Sequence, residues 1–443
     1  MNEKSSGPAR LAQGGRNRVR RRSFWVASLV AISLLGSGGM ASPAPTAGKR
    51  LGDGSAQRPP VVIAVVEPGG LNVLHSDFKP FSNQRVVVPP ERPPTVSVEL
   101  PAKGVFAARQ SAARSGILGR LQPGQLYSIE GTRIIGIYVP ADIGRRGTPT
   151  VDVFADASHP TATTSAALGL KHGTNPTALL VFVPRVTKDA WRWLADQEWI
   201  DVVSTSYYSV FSSIEGFCVE APYVREIARQ GRLVFSAAGN VEQVGLAHAP
   251  SGLAEAYQVG GVDSSGRTYV PSDGSEPAIT PTRPYETGDR FHFNAAASDS
   301  LSGSAPFGGT SGAAPSTAGR AAELIQFARS ILGSPGYGAQ SIAAHNGSLA
   351  TRLPARGPLS DGDLTSAELT DLLHHTAAPT VPGPAGAATF LAEGYGGLSE
   401  ESIALAKQVL AGEIPEPDRA VEDALHEHIE MARAALFPDE RCR

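Results

Sequence analysis

Ser311 stands in the run Phe307-Gly-Gly-Thr-Ser-Gly-Ala-Ala-Pro315, which leads into Ser316-Thr-Ala-Gly-Arg-Ala-Ala-Glu-Leu-Ile325. Glycines before the serine allow a substrate backbone to come close. Small residues after it allow a buried helix to start at once, and Pro315 is tolerated in a first turn. A hydroxyl there sits at the positive end of a helix dipole, where negative charge can develop. Local chemistry leaves two readings open: an activated nucleophile, or an N-capping serine of a small-residue helix. A nucleophile needs a base, and the chain has ten histidines. His159-Pro160-Thr161 opens a small-residue stretch ending at Gly169, and Pro is favoured in a first turn. His172-Gly173-Thr174 follows in the loop beyond that stretch. An imidazole base in turn needs a carboxylate to orient it, and the chain has 42 Asp and Glu residues, among them Glu67, after the apolar run Val61-Val-Ile-Ala-Val-Val66, and Asp156, three residues before His159.

The segment Gly309-Thr-Ser-x-Ala-Ala-Pro-x-x-Ala-Gly319 resembles the nucleophile motif of the subtilases, the subtilisin-like serine proteases. The pattern is long and specific. The resemblance implies Ser311 as nucleophile. It also selects His159 as base over His172, although His172-Gly173-Thr174 matches the family's His-Gly-Thr literally. His159 follows a strand candidate and opens a helix, as the family's histidine does; Pro160 departs from the usual Gly. The family's acid is an Asp at the end of the first core strand. Here that place holds Glu67, and the later His75-Ser-Asp77-Phe78 resembles the family's segment beyond the acid, with about one residue more between. Other serine hydrolases use Ser-His-Glu, so Glu is chemically competent. Leu233-Val-Phe-Ser-Ala-Ala-Gly-Asn240 resembles the family's oxyanion strand-loop and implies Asn240 as a side-chain donor, with the Ser311 N–H as the second. Ser206, Tyr207, Tyr208 and Gly239 occupy the positions that line the family's substrate cleft. His75 and Asp77 read as structural.

The resemblance covers roughly residues 60–78 and 150–411. It implies a secreted serine endopeptidase with a protein or peptide substrate. Its rival is a catalytically silent subtilase fold that binds peptides or partners, with Glu67 and Pro160 as evidence. A non-peptidase serine hydrolase is a weaker rival, because the GxSxG elbow is missing.

The elements that must position these residues follow from periodicity. Val61–Val66 is a continuous β-branched run, the pattern of a strand buried on both faces. Strand candidates recur at 133–139, 150–154, 178–183, 200–204 and 233–236. Helical stretches fall at 161–168, 188–197 (Trp191 and Leu194 on one face) and 222–230. This alternation predicts an α/β fold: a doubly wound, mostly parallel sheet with helices on both faces. Such sheets carry their sites at the carboxyl ends of the strands.

The chain of 443 residues is 41% hydrophobic and 18% charged, with net charge −3, so it can bury a core and shows no general bias toward nucleic acid. Its basic residues concentrate at the start: Lys4, Arg10, Arg16, Arg18, Arg20, Arg21 and Arg22, before the apolar run Phe24–Leu35. Residues 1–41 read as an export signal, too short in its apolar part for a comfortable membrane span. Arg21-Arg22-Ser-Phe-Trp25 resembles a twin-arginine signal. The expected location is secreted or in the cell envelope, with no membrane contact once the signal is removed. Residues 42–59 read as a linker and 60–411 as the peptidase domain. Residues 79–149 read as an insertion, and 412–443 as a charged helical tail. Cys218 and Cys442 allow at most one disulfide. No cysteine and histidine cluster has zinc spacing, and the chemistry calls for no metal or cofactor. Oligomeric state is not encoded in any feature of the sequence.

Overall fold

The structure is a computed structural model, and the description covers residues 60–73, 75–80, 86–99, 122–142, 158–171, 173–207, 209–211, 218–237, 247–251, 253, 255–260, 285–286, 293–294, 306–307, 310–333, 353–377 and 396–417. Among the described residues, its strands of three or more residues are β1 (Val62–Val66), β2 (Val96–Val98), β3 (Leu126–Ile129), β4 (Ile134–Tyr138), β5 (Leu179–Val183), β6 (Val202–Thr205), β7 (Ser209–Phe211), β8 (Leu233–Ala237), β9 (Ala247–Ala249) and β10 (Tyr257–Val259). The helices are α1 (Ser158–Leu168), α2 (Lys188–Ala195), α3 (Ala221–Arg229), α4 (Thr310–Leu332), α5 (Ser366–Thr376) and α6 (Glu400–Leu410).

Eight strands form one sheet in the order β10-β8-β6-β1-β5-β4-β3-β2. Every pair in it is parallel except β3 with β4. The α/β, doubly wound expectation therefore holds. All five residues of β1 are buried, as an apolar run flanked on both sides and covered on both faces must be. Alternate residues feed two cores. Ile63 and Val65 pack with Ala167, Leu168, Ala318 and Ile325, on the side of α1 and α4. Val62, Ala64 and Val66 pack with Trp191, Leu194, Val224 and Ile227, on the side of α2 and α3. Trp191 and Leu194 are fully buried, in keeping with the face predicted for them.

Part of the stretch read as an insertion joins this sheet. β4 lies beside β5, and β3 and β2 extend the edge beyond it. The Pro-rich segment near residue 90 conceals that continuity in the sequence, because it interrupts any run long enough to show a period. The strand expected at 150–154, the export signal and most of the charged tail lie outside the described residues.

β1 is the central strand. β5 flanks it on one side and β6 on the other, so the chain crosses from one side to the other between β5 and β6. That is the topological switch point of a doubly wound sheet, where ligands bind at the carboxyl ends. Helix α4 runs antiparallel to the strands here. Its far end is fixed by Arg329, whose guanidinium pairs with Asp201 through Nη2–Oδ1 at 2.5 Å and Nη1–Oδ2 at 3.1 Å. Asp201 Oδ2 also accepts from Val62 N at 2.8 Å, and Arg329 Nη1 donates to Pro60 O at 2.7 Å. Both side chains are fully buried. This pair clamps the helix to the amino ends of β1 and β6. Arg329→Met leaves Asp201 buried without its cation, and the expected destabilisation is about 3–5 kcal/mol. The measurement is a urea unfolding midpoint at unchanged m; a loss below about 1 kcal/mol contradicts the clamp.

Candidate active site

Glu67 follows β1 directly, and its N–H continues the ladder to Val183 O at 3.0 Å. Alternation puts its side chain on the same face as Ile63 and Val65, toward α1 and α4. The carboxylate is completely buried. A buried carboxylate must be paired or hydrogen-bonded, and this one is held from two sides. Ser206 N donates to Oε1 at 2.5 Å, and His159 Nδ1 lies 3.3 Å from Oε2. The His159 contact is within ion-pair distance, but Oε2 receives no well-aligned hydrogen bond. The His159 side chain is 46% exposed, so one edge of the ring faces the buried acid while much of the rest is open to solvent.

The loop after Glu67 explains Pro160. Gly69 has φ +117°, a left-handed conformation that favours glycine, and its N–H donates to Pro184 O at 3.1 Å. A Cβ on Gly69 would lie 3.3 Å from Pro160 Cγ. Three residues on, Asn72 N donates to Thr161 Oγ1 at 3.0 Å. The residues just after the acid are thereby docked on the first turn of α1, which carries His159. Pro160 is buried in that contact, so it serves as a packing residue as well as a helix starter.

Helix α4 brings Ser311 in its first turn, and α4 packs closely along α1. At Gly319 a Cβ would fall 2.1 Å from Thr174 Oγ1 and 2.3 Å from Ala167 O. Only glycine allows that approach, which gives the trailing Ala318-Gly319 of the motif a structural reason. Thr174 Oγ1 donates to Ser316 O at 2.8 Å and binds the two helices together. The serine and histidine helices are thus held as one unit.

The residues after His172 wrap the far end of α1: Gly173 N donates to Gly169 O at 2.9 Å and Thr174 N to Ala166 O at 3.1 Å. An eleven-residue helix is about 15 Å long, so that loop caps the end of α1 opposite His159. His172 itself lies outside the described residues. His75 and Asp77 also belong to that far end. His75 Nδ1 accepts from Asp77 N at 3.3 Å, and Asp77 Oδ1 accepts from Lys171 N at 3.3 Å. Buried Arg133 gathers the carbonyls of Asp77 and Leu168, each at 2.5 Å. Burial pushes its pKa down to about 10, opposed by Asp77, so it stays charged at neutral pH. These are structural roles, as the sequence suggests.

Of the residues expected to line a substrate cleft, Ser206 is buried and Tyr207 is 40% exposed. Thr205 Oγ1 donates to Tyr207 O at 3.1 Å and accepts from Tyr207 N at 3.3 Å, which turns the chain sharply after β6. The Ser206 hydroxyl does not face open space: it donates to the main-chain carbonyl of Ser311 at 2.8 Å. Tyr208, Gly239, Asn240 and Asp156 lie outside the described residues; β8 ends at Ala237. Among the described residues no group of three or more His, Cys, Asp or Glu side chains could hold a metal ion, and no helix is long and apolar enough to cross a membrane.

Sequence reasoning missed the Gly69–Pro160 and Asn72–Thr161 contacts and the bond from Ser206 to Ser311. Only the last had a signal in the sequence: a proline four residues after Ser311.

No protein-family model matches the chain, and no curated protein matches it. Solved structures of similar course include the prenylagaramide maturation protease PagA, at 15% identity, covering 79% of this chain and 94% of that one with a TM-score of 0.45. The PatG macrocyclase domain is similar at 15% identity, covering 80% and 92% with a TM-score of 0.45. A cold-adapted subtilisin-like serine proteinase is similar at 16% identity, covering 73% and 85% with a TM-score of 0.40.

Proposed function

We propose that this chain is an exported serine endopeptidase of the subtilisin-like kind, working through Ser311, His159 and Glu67. The observation that carries the proposal is the buried Glu67 carboxylate. It stands at the carboxyl end of the central strand, 3.3 Å from His159 Nδ1 and 2.5 Å from Ser206 N. A carboxylate on Nδ1 leaves Nε2 as the basic nitrogen. In the proposed cycle Nε2 takes the Ser311 hydroxyl proton as Oγ attacks the peptide carbonyl. Glu67 stabilises the imidazolium. The oxyanion is held by the Ser311 N–H, at the amino end of α4, and by the Asn240 side chain. His159 then protonates the leaving amine, and water releases the acyl group by the same path reversed. Exposed Tyr207 is the cleft residue best placed to meet a substrate side chain.

The competing reading, a silent peptide-binding module, draws on the poor alignment at Glu67 Oε2. Export is supported by the basic and apolar first 35 residues and by Cys218, which is disulfide-bonded. Disulfides persist mainly outside reducing compartments.

One experiment tests these points together. The full chain is expressed in a bacterial host, recovered from the medium or envelope, and incubated with unfolded proteins; new amino termini are read by mass spectrometry. New termini that vanish with Ser311→Ala are expected. Their absence with folded, exported protein favours the silent module, and retention in the cytoplasm overturns the export assignment.

A further inference from the structure

We propose that Ser206 is a positioning residue that ties the acid and the nucleophile to a single point, standing in for a donor that Pro315 removes. The inference rests on the Ser311–His159–Glu67 reading above. In an α-helix the carbonyl of residue i accepts from the N–H of residue i+4. Ser311 lies in the first turn of α4, and four residues on is Pro315, which has no N–H. The Ser311 carbonyl therefore lacks its helical donor.

Ser206, 105 residues away in sequence, fills that place: its Oγ donates to Ser311 O at 2.8 Å. The neighbouring carbonyls show the contrast. Gly312 O and Ala313 O accept side-chain bonds from Ser316 Oγ and Thr317 Oγ1, both at 2.9 Å and both from within the helix. Ser311 O alone among these three takes its side-chain donor from a strand end. At the same time the Ser206 N–H holds Glu67 Oε1 at 2.5 Å. One residue thus fixes the peptide plane after the nucleophile with its side chain and the acid with its main chain. Its own position is set by β6, through Thr205 opposite Ser236 and the tight turn to Tyr207. A shift of Ser206 moves both partners of His159, and misplacement by about 1 Å can cost on the order of 10² in rate.

The test is a cycle of Ser206→Ala and Pro315→Ala on the full chain. It is read as kinact and KI with a fluorophosphonate probe, with circular dichroism to confirm folding. Ser206→Ala keeps the N–H to Glu67 and removes only the hydroxyl. The expected result is a fall in kinact of about tenfold with KI changed less than about twofold. Ser206→Thr, which keeps a hydroxyl, is expected within about threefold of wild type. With Pro315→Ala the restored N–H can reach the Ser311 carbonyl, so adding Ser206→Ala should then cost less than about twofold. A merely structural serine would not show that dependence on residue 315. Ser206→Ala labelling as fast as wild type, or losing the same factor in both backgrounds, overturns the inference while leaving the hydrolase reading intact. If Ser206→Ala does not fold, Ser206→Thr decides: a tenfold loss there overturns it. A folded wild type that does not label overturns the hydrolase reading and this inference with it.

Discussion

Ser311→Ala is expected to lower peptide hydrolysis by about 10⁶ in kcat, to the level left by binding and oxyanion contacts alone. The size of the effect follows from the proposed role. Without the hydroxyl no acyl intermediate forms, and neither His159 nor Glu67 has a proton to manage. The substitution should leave the fold intact. Ser311 lies in the first turn of a helix whose packing depends on Gly319 and whose far end is fixed by Arg329. Alanine is also the best helix former. Steady-state kinetics with matched thermal melts is the measurement. A fall of less than about 10², with unchanged melting, means that the observed hydrolysis does not pass through Ser311.

Glu67→Gln should have the second largest effect, about 10⁴ in kcat. The amide is nearly the same size and can still accept from Ser206 N. It can also turn its NH₂ toward His159 Nδ1, which favours the tautomer with the proton on Nε2 and leaves no base for Ser311. Glu67→Asp is the sharper comparison, since Asp is the residue that the resembling family carries. Shortening the side chain by one carbon withdraws the carboxylate by about 1.5 Å. His159 cannot follow, because Pro160 is packed on Gly69 and Thr161 is bound to Asn72. Activity is therefore expected to fall with Asp. A rise would mean that the loop after residue 67 adapts freely and that Glu67 is a tolerated defect. Rates of Glu67→Gln close to wild type would remove the acid from the mechanism.

Much of this was legible in the sequence, for identifiable reasons. β1 declared itself because five consecutive β-branched or small apolar residues suit a strand covered on both faces. α1 and α4 declared themselves through small residues, which permit the close packing seen at Gly319. The resemblance, not local residue type, singles out Glu67, His159 and Ser311: residue type alone leaves Ser311 open between a nucleophile and a helix cap and does not separate His159 from His172. What could not be read is what depends on tertiary register. A uniformly apolar strand does not say which of its faces meets which helices, so the direction of the Glu67 side chain emerged only from the two cores. Residues 79–149 read as an insertion because prolines near residue 90 break them early, yet β4, inside the strand candidate at 133–139, lies beside β5 in the main sheet. From the sequence, Ser206 reads as a substrate-cleft residue alone. Its bond to Ser311 spans 105 residues and is hinted at only by Pro315. The helix Lys188–Ala195 was legible from Trp191 and Leu194, whereas the buried pair Asp201–Arg329, 128 residues apart, was not.

The central claim is that Ser311 is an activated nucleophile, and the most direct measurement is covalent capture. The full chain is treated with a fluorophosphonate probe from pH 6 to 9, and the adduct is located by tandem mass spectrometry. One adduct is expected, on Ser311, absent after Ser311→Ala and strongly slowed after His159→Ala and Glu67→Gln. A folded wild type that takes up no probe anywhere in that range, or takes it up on another residue, contradicts it.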